Sequence, residues 1–320
     1  MFSVRRNFVQ TFVRLALVLA LALLAACGGG DDEGEETPTP EATAEETPDE
    51  TADADEETVT VGESFWHAGW KVTLGDATFV PDEFATGDVS IDAEFENLGS
   101  ADASFSSQLL LTSGGNDYDD ETIEGHDLPQ VPGGRTGKGS FNFRVDTEFK
   151  LDGATLIVGN PDNNQATVPI GPDGEDLVSL EPREIVVSGA VTAGAVTLNV
   201  ERAELRADLP DKHSEMEAGT LAVTVYFSAT PGTGIQVGQG VLQSPNVALE
   251  LPDGTTVAVI SDGVSGVNEL LQGRENTTIP NLKVRFAVED PPEGAYAFIL
   301  RGKYGPGGAD VEGELSFSIE

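Results

Sequence analysis

Few residues in this chain have the type and spacing to do chemistry, and the clearest is its single cysteine. Cys27 follows Leu24-Ala25-Ala26 at the end of an apolar run. Small residues there suit cleavage ahead of Cys27 and attachment of a diacylglycerol to its sulfur through a thioether. With that sulfur acylated no thiol remains, so disulfides and cysteine metal ligands are excluded from the mature chain. The next candidate is the run Asn116-Asp117-Tyr118-Asp119-Asp120-Glu121, followed by Glu124 and Asp127. Ca2+ takes about six to eight oxygen ligands, which dense carboxylates on a turn can supply. Asp117, Asp119, Asp120 and Glu121 are therefore the candidate Ca2+ ligands, although their spacing departs from D-x-[DN]-x-[DN]-G-x5-E. The histidines His67, His126 and His213 form neither an H-x-H nor an H-E-x-x-H pair. Each is expected on a surface loop or strand. No G-x-S-x-G elbow is present, no catalytic residue is assigned, and the chain is read as not an enzyme.

The leader places these residues. Arg5, Arg6 and Arg14 precede the apolar run Leu15 to Ala26, which is short for a membrane span. With Leu24-Ala25-Ala26-Cys27 and the following Gly28-Gly29-Gly30, residues 1–30 resemble the bacterial and archaeal lipoprotein signal class, a lipobox signal peptide. That resemblance implies a signal peptide over 1–26, lipidation at Cys27 and an extracytoplasmic chain anchored to the cell membrane. Ser3-Val4-Arg5-Arg6-Asn7-Phe8-Val9 is similar to a loose twin-arginine export signal with Val4 where Ser or Thr is usual. Both that route and general secretion stay open.

Charge sets the partners. The chain has 56 acidic and 17 basic residues, a formal charge of −39. Residues 31–58 carry 14 acids and no Lys or Arg. Such a segment buries too little apolar surface to offset chain entropy, so 27–58 is expected to be a disordered, extended acidic stalk. Setting those acids and the three leader arginines aside leaves 42 acids and 14 basic residues for 59–320, a charge of −28. That excess disfavours nucleic acid and anionic membrane surfaces as partners. It fits either a salty habitat or an ordinary acidic extracellular protein, which unfolding in low and molar salt separates.

The remaining residues, enough for two domains, read as all-β. Val89, Ile91, Ala93 and Phe95 alternate with polar residues, as do Leu221, Val223, Val225 and Phe227. These two runs are aligned with each other, Gly87 with Gly219 ahead of them. Trp70, Val72, Leu74, Ala77 and Phe79 parallel Val196, Leu198, Val200, Ala203 and Leu205. Leu110, Thr112, Gly115 and Tyr118 parallel Leu249, Leu251, Gly254 and Val257, a hairpin in each half. Phe141, Phe143 and Val145 parallel Val284, Phe286 and Val288, and Val168 and Ile170 parallel Phe317 and Ile319. The order indicates a tandem duplication: one β-sandwich over 59–175 and a second over 183–320, joined through 171–182 by a hinge or a strand-to-strand passage. An immunoglobulin-type sandwich is expected, with a jelly roll as its rival.

The Gly69-Trp70 start, the Val72-Thr73-Leu74 strand, Phe95-Glu96-Asn97, the Leu-rich strand, the Gly turn and Tyr118 resemble the telokin-like extracellular domains of prokaryotic lipoproteins. The resemblance covers most of residues 60–170. The second copy lacks the Trp and the Tyr, and Ala229 is aligned with Asn97. It implies two tandem immunoglobulin-like domains and brings no catalytic residues.

Trp66 aligns with Thr192 and is expected to point outward as a binding-surface anchor, whereas Trp70 aligns with Val196 and is expected in the core. Glu121 to Arg135, Leu209 to Glu217 and Pro231 to Gly240 lack loops of matching length in the other copy and are candidate recognition loops. Asn276-Thr277-Thr278 is a glycosylation sequon. The expected function is a non-enzymatic binding or adhesion module, tethered to membrane lipid and contacting a surface protein or glycan. The alternatives are a Ca2+ or small-ligand module and a structural envelope protein.

Overall fold

The alternation read from the sequence becomes antiparallel sheet almost throughout a computed structural model that describes residues 56–84, 86–119, 125–235, 240–261, 263 and 266–319. The residues expected to be a signal peptide, Cys27 and nearly all of those expected to be a stalk lie outside the described residues. The first half holds β1 (Glu57–Thr60), β2 (Ser64–His67), β3 (Trp70–Pro81), β4 (Gly87–Asn97), β5 (Ala103–Ser104), β6 (Leu109–Ser113), β7 (Asn116–Asp119), β8 (Gln130–Val131), β9 (Thr136–Val145), β10 (Thr155–Val158) and β11 (Ala166–Pro169). The first strand begins inside the segment expected to be disordered, since Glu57 and Thr58 pair with Phe79 and Thr78.

The second half holds β12 (Arg183–Ile185), β13 (Gly189–Ala193), β14 (Val196–Arg206), β15 (Asp208–Leu209), β16 (Ser214–Glu215), β17 (Thr220–Pro231), β18 (Val241–Gln243), β19 (Val247–Glu250), β20 (Thr256–Ala258), β21 (Asn268–Leu270), β22 (Ile279–Glu289), β23 (Gly294–Gly302) and β24 (Val311–Ile319).

The first half packs the sheet β1-β3-β4-β9, with β2 also on β3, against β11-β10-β6-β7. The second half repeats that order strand for strand: β12-β14-β17-β22, with β13 also on β14, against β24-β23-β19-β20. The order β3-β4-β9 with β11-β10-β6-β7 makes an antiparallel two-sheet β-sandwich. Each half encloses its own apolar core. Trp70, Phe95, Phe105 and Phe141 lie in the first, and Phe227, Phe286, Phe298 and Tyr296 in the second.

Strand register corrects three of the residue alignments. Phe79 faces Val89 and Leu205 faces Val223, so Val89 corresponds to Val223 and not to Leu221. Asn97 then corresponds to Pro231 and not to Ala229, and Gly87 to Leu221 and not to Gly219. Val168 and Ile170 likewise correspond to Leu315 and Phe317, since Leu156 faces Val168 and Phe298 faces Leu315. Both errors are shifts of two residues, which leave every side chain on its expected face, so alternation cannot detect them. In β6 the error is one residue. Leu109 and Leu111 point inward, corresponding to Val247 and Leu249, while Leu110 points out. Three consecutive leucines hide the phase. The β3 and β14 alignment holds, including a bulge after Leu74 in one and after Val200 in the other.

The segment 171–182, expected to be a hinge or a strand-to-strand passage, runs along the first sandwich. Thr167 and Val178 exchange backbone hydrogen bonds of 3.1 and 2.8 Å, and Trp66 N–H donates to the Ser179 carbonyl at 2.8 Å. Residues 178–179 thus bridge the open edges of β11 and β2. In the second sandwich the matching edges, β24 and β13, meet directly. A Cβ on Gly313 would lie 2.2 Å from the Thr192 carbonyl oxygen, so only glycine allows that approach.

Candidate functional site

A group of buried polar side chains, His67, Asn97 and Asp208 among them, gathers where the two sandwiches meet. From the first come the β2–β3 turn at Ala68-Gly69, the 98–101 turn after β4, and residues 159–164 after β10. Asn97 builds the second of these. Its buried amide donates to the carbonyls of Ala101 and Val131, each at 2.9 Å, and its side-chain oxygen accepts from Gly99 N–H. From the second sandwich comes the tip of the β14–β17 hairpin, residues 207–219. Leu209 and Met216 anchor that tip on Ala222. Asp211 also fixes it to β22, through Lys283 at 2.5 Å and Arg285 at 2.6 Å. Burial opposes ionisation of Asp211, yet Arg285 and Lys283 hold its carboxyl below the usual range.

The tip meets the first sandwich by fit and by hydrogen bonding. A Cβ on Gly99 would stand 2.7 Å from His213 Nε2 and 2.9 Å from the Pro210 carbonyl oxygen. His213 lies against Trp70, with ring centroids 5.6 Å apart. Gly69 N–H donates to Asp208 Oδ2 at 2.6 Å, while Arg206 holds the other Asp208 oxygen at 2.8 Å. Asn164 N–H donates to the Met216 carbonyl, and its side-chain amide donates to the Thr220 carbonyl at 2.8 Å. His67, fully buried, places Nε2 at 2.5 Å from Glu215 Oε1 and 2.6 Å from Ser107 Oγ.

These bonds place both sandwiches in one compact unit, Ala52–Glu320. A serine, a histidine and a carboxylate thus come together, but not as a nucleophilic triad. Serine and acid both sit on Nε2, whereas a triad puts the acid on the other ring nitrogen. The Nδ1 atom is buried without a partner. The cluster is a polar lock between sandwiches.

The histidines correct the expectation of surface positions. His67 is fully buried, and His126 and His213 are half-buried, with His126 edge-on to Phe141 and Phe143. The loop Leu209 to Glu217 recognises its own chain, and the first sandwich, having no sandwich before it in the described residues, has only residues 82–86 in the matching place. Asp117 and Asp119 sit exposed on the same face of β7, while Asp120 and Glu121 lie outside the described residues. Among the described residues no three His, Cys, Asp or Glu side chains converge as a metal site would need. Trp70 is core, as expected. Trp66 is half-buried on the outer side of β2, with Lys71 Nζ 5.1 Å from its ring centroid. Asn276 is exposed in the left-handed conformation, φ 60°. Nothing in the sequence marked Asn164, Asp208 or Glu215 as partners, because their contacts join residues far apart in the chain, 139 positions for Gly69 and Asp208.

No protein-family profile matches this chain, and no curated protein matches it. Among solved structures, a conserved hypothetical protein of Bacillus anthracis is similar at 15% identity and TM-score 0.26, covering 35% of this chain and 96% of its own. A conserved domain protein of the same organism is similar at 10% identity and TM-score 0.27, covering 82% of this chain and 92% of its own. Likeness at this level carries no argument about function.

No described helix is long and apolar enough to cross a membrane. The first sandwich instead ends, near where the chain enters at Glu57, in an exposed aromatic. Phe84 is 73% exposed at the tip of the β3–β4 hairpin. Asp82 holds that tip by accepting from Phe84 N–H, Thr86 N–H, Thr86 Oγ and Arg144. The Thr86 hydroxyl foremost keeps the Asp82 carboxyl below its ordinary range.

Proposed function

We propose that this chain is a lipid-anchored extracytoplasmic lipoprotein. Its acidic stalk carries two immunoglobulin-like sandwiches, fixed to each other, for non-enzymatic binding or adhesion to a surface protein or glycan. The observation that supports this best is the polar lock at His67, Glu215, Asp208 and Asn164. A display module gains from a fixed relation between its faces, because a pre-ordered surface loses less entropy when it binds. Cys27 and the stalk support the anchored half of the reading.

The test is expression of the full chain in a bacterium with lipoprotein processing. Wild-type protein is expected in the membrane fraction with a diacylated Cys27 at its N-terminus, and Cys27→Ala in the soluble or unprocessed fraction. Cells carrying the wild type should adhere to envelope material, and the Cys27→Ala strain should not. An unmodified Cys27 would overturn anchorage, and equal adhesion by both strains would overturn display.

A further inference from the structure

The second sandwich carries a groove on the outer side of β19 and β20. It has a volume of about 760 Å3 and lies between the outer face of β19 and β20 on one side and residues 259–261 and 266–268 on the other. Its lining is mixed: Pro245, Ala248, Val257, Ala258 and Ile260 give an apolar strip, and Ser244, Thr256, Ser261 and Asn268 border it with polar groups. Beneath it, Ala248, Ala297 and Ile299 form a small apolar cluster on the side of the sheet away from the core. Strand register shows how the corresponding positions of the first half differ. Ala248, Ala258 and Arg301 correspond to Leu110, Asp119 and Gly159 in the first sandwich. There the floor is bulky or charged and the cation is missing.

Arg301 borders the groove, its side chain exposed. It forms no ion pair or side-chain hydrogen bond, not even with its cross-strand neighbour Glu312. The guanidinium donors of Arg301 are thus available within a folded region of charge −28. A guanidinium offers a planar fork of donors suited to a carboxylate. A groove of this size with an apolar strip, a polar border and one placed charge has the character of a small-molecule site.

We propose that this groove binds an amphiphile with a medium-length apolar chain and a carboxylate head, the chain along Ala248 and Ala258 and the head on Arg301. The assignment is independent of how the chain is anchored.

The test is calorimetric titration of the mature chain, residues 27–320, with sodium decanoate below its micellar concentration. Decyltrimethylammonium and acetate serve as comparisons. The expected result is saturable binding of one decanoate, with neither the cation of equal chain length nor acetate saturating. Arg301→Gln should weaken decanoate at least tenfold, and Ala258→Trp should abolish binding by filling the floor. Both positions are exposed, and circular dichroism checks that the variants fold. Absence of saturation, equal binding of the cation, or undiminished binding by Arg301→Gln would each overturn the assignment.

Discussion

The β3–β4 and β14–β17 hairpins are the same element of a repeated strand order, yet their tips meet different fates. The first is short, knotted around Asp82, and ends in solvent at Phe84. The second is long, buries Leu209 and Met216, and seats Pro210 and His213 against Gly69 and Gly99 of the neighbouring sandwich. One scaffold therefore accepts either a free tip or a docking element, because lengthening a surface turn costs little closure entropy. The edges differ in the same way. The first sandwich closes through the inserted segment 178–179, and the second by direct approach of β24 to β13.

The sharpest way to probe the difference is to remove matched core residues. Trp70→Ala should cost about 3–5 kcal/mol, while Val196→Ala at the corresponding place should cost ~2 kcal/mol for the carbons lost. Denaturant titration measures both, and equal losses would mean that the two cores are not built differently there. Next come the edges. Gly313→Ala should cost about 1–3 kcal/mol by forcing β24 from β13, although its counterpart in the first sandwich, Ala166, carries a Cβ natively. An unchanged Gly313→Ala midpoint would contradict direct closure.

The lock is tested by Glu215→Ala, which leaves His67 buried beside Ser107 alone and should cost about 1–3 kcal/mol. Both tryptophans lie in the first sandwich, so their fluorescence reports that half while circular dichroism reports both. The two transitions should coincide in the wild type and separate in Glu215→Ala. Coincidence at wild-type stability in the variant would remove the lock from the account.

Tyrosine ionisation compares the halves without mutation. Burial, and then the hydrogen bond to Asp146, pushes Tyr118 of the first sandwich up to about 12. In the second, burial and then Glu204 push Tyr226 to about 12, and burial alone does so for Tyr304. Each raised value favours the protonated, folded form. The stabilisation is complete below pH ~10, the unfolded value, and is lost as pH rises toward 12. Ultraviolet absorbance should show the tyrosinate rise displaced above the ordinary value of ~10 in both halves, and a full rise at the ordinary pH without unfolding would contradict the burial. The smallest effect belongs to Trp66→Ala, expected within ~0.5 kcal/mol of wild type. A larger loss would make Trp66 a structural partner of the 178–179 segment.

Alternation alone fixed which faces of β4 and β17 point inward, that the chain is all-β, and that its two halves share an order. It fixed them because burial of one sheet face imposes a period of two on the sequence. That period cannot distinguish a shift of two residues, so Asn97 was aligned with Ala229 until register aligned it with Pro231. Composition likewise determined the charge, and the lone cysteine excluded disulfides. Only the tertiary structure joined His67 to Glu215, set His213 on Trp70, closed one edge with the linker and the other with Gly313, and left Arg301 beside a groove with an apolar strip. Each of these depends on contacts between residues far apart in the chain, where neither spacing nor period carries a signal.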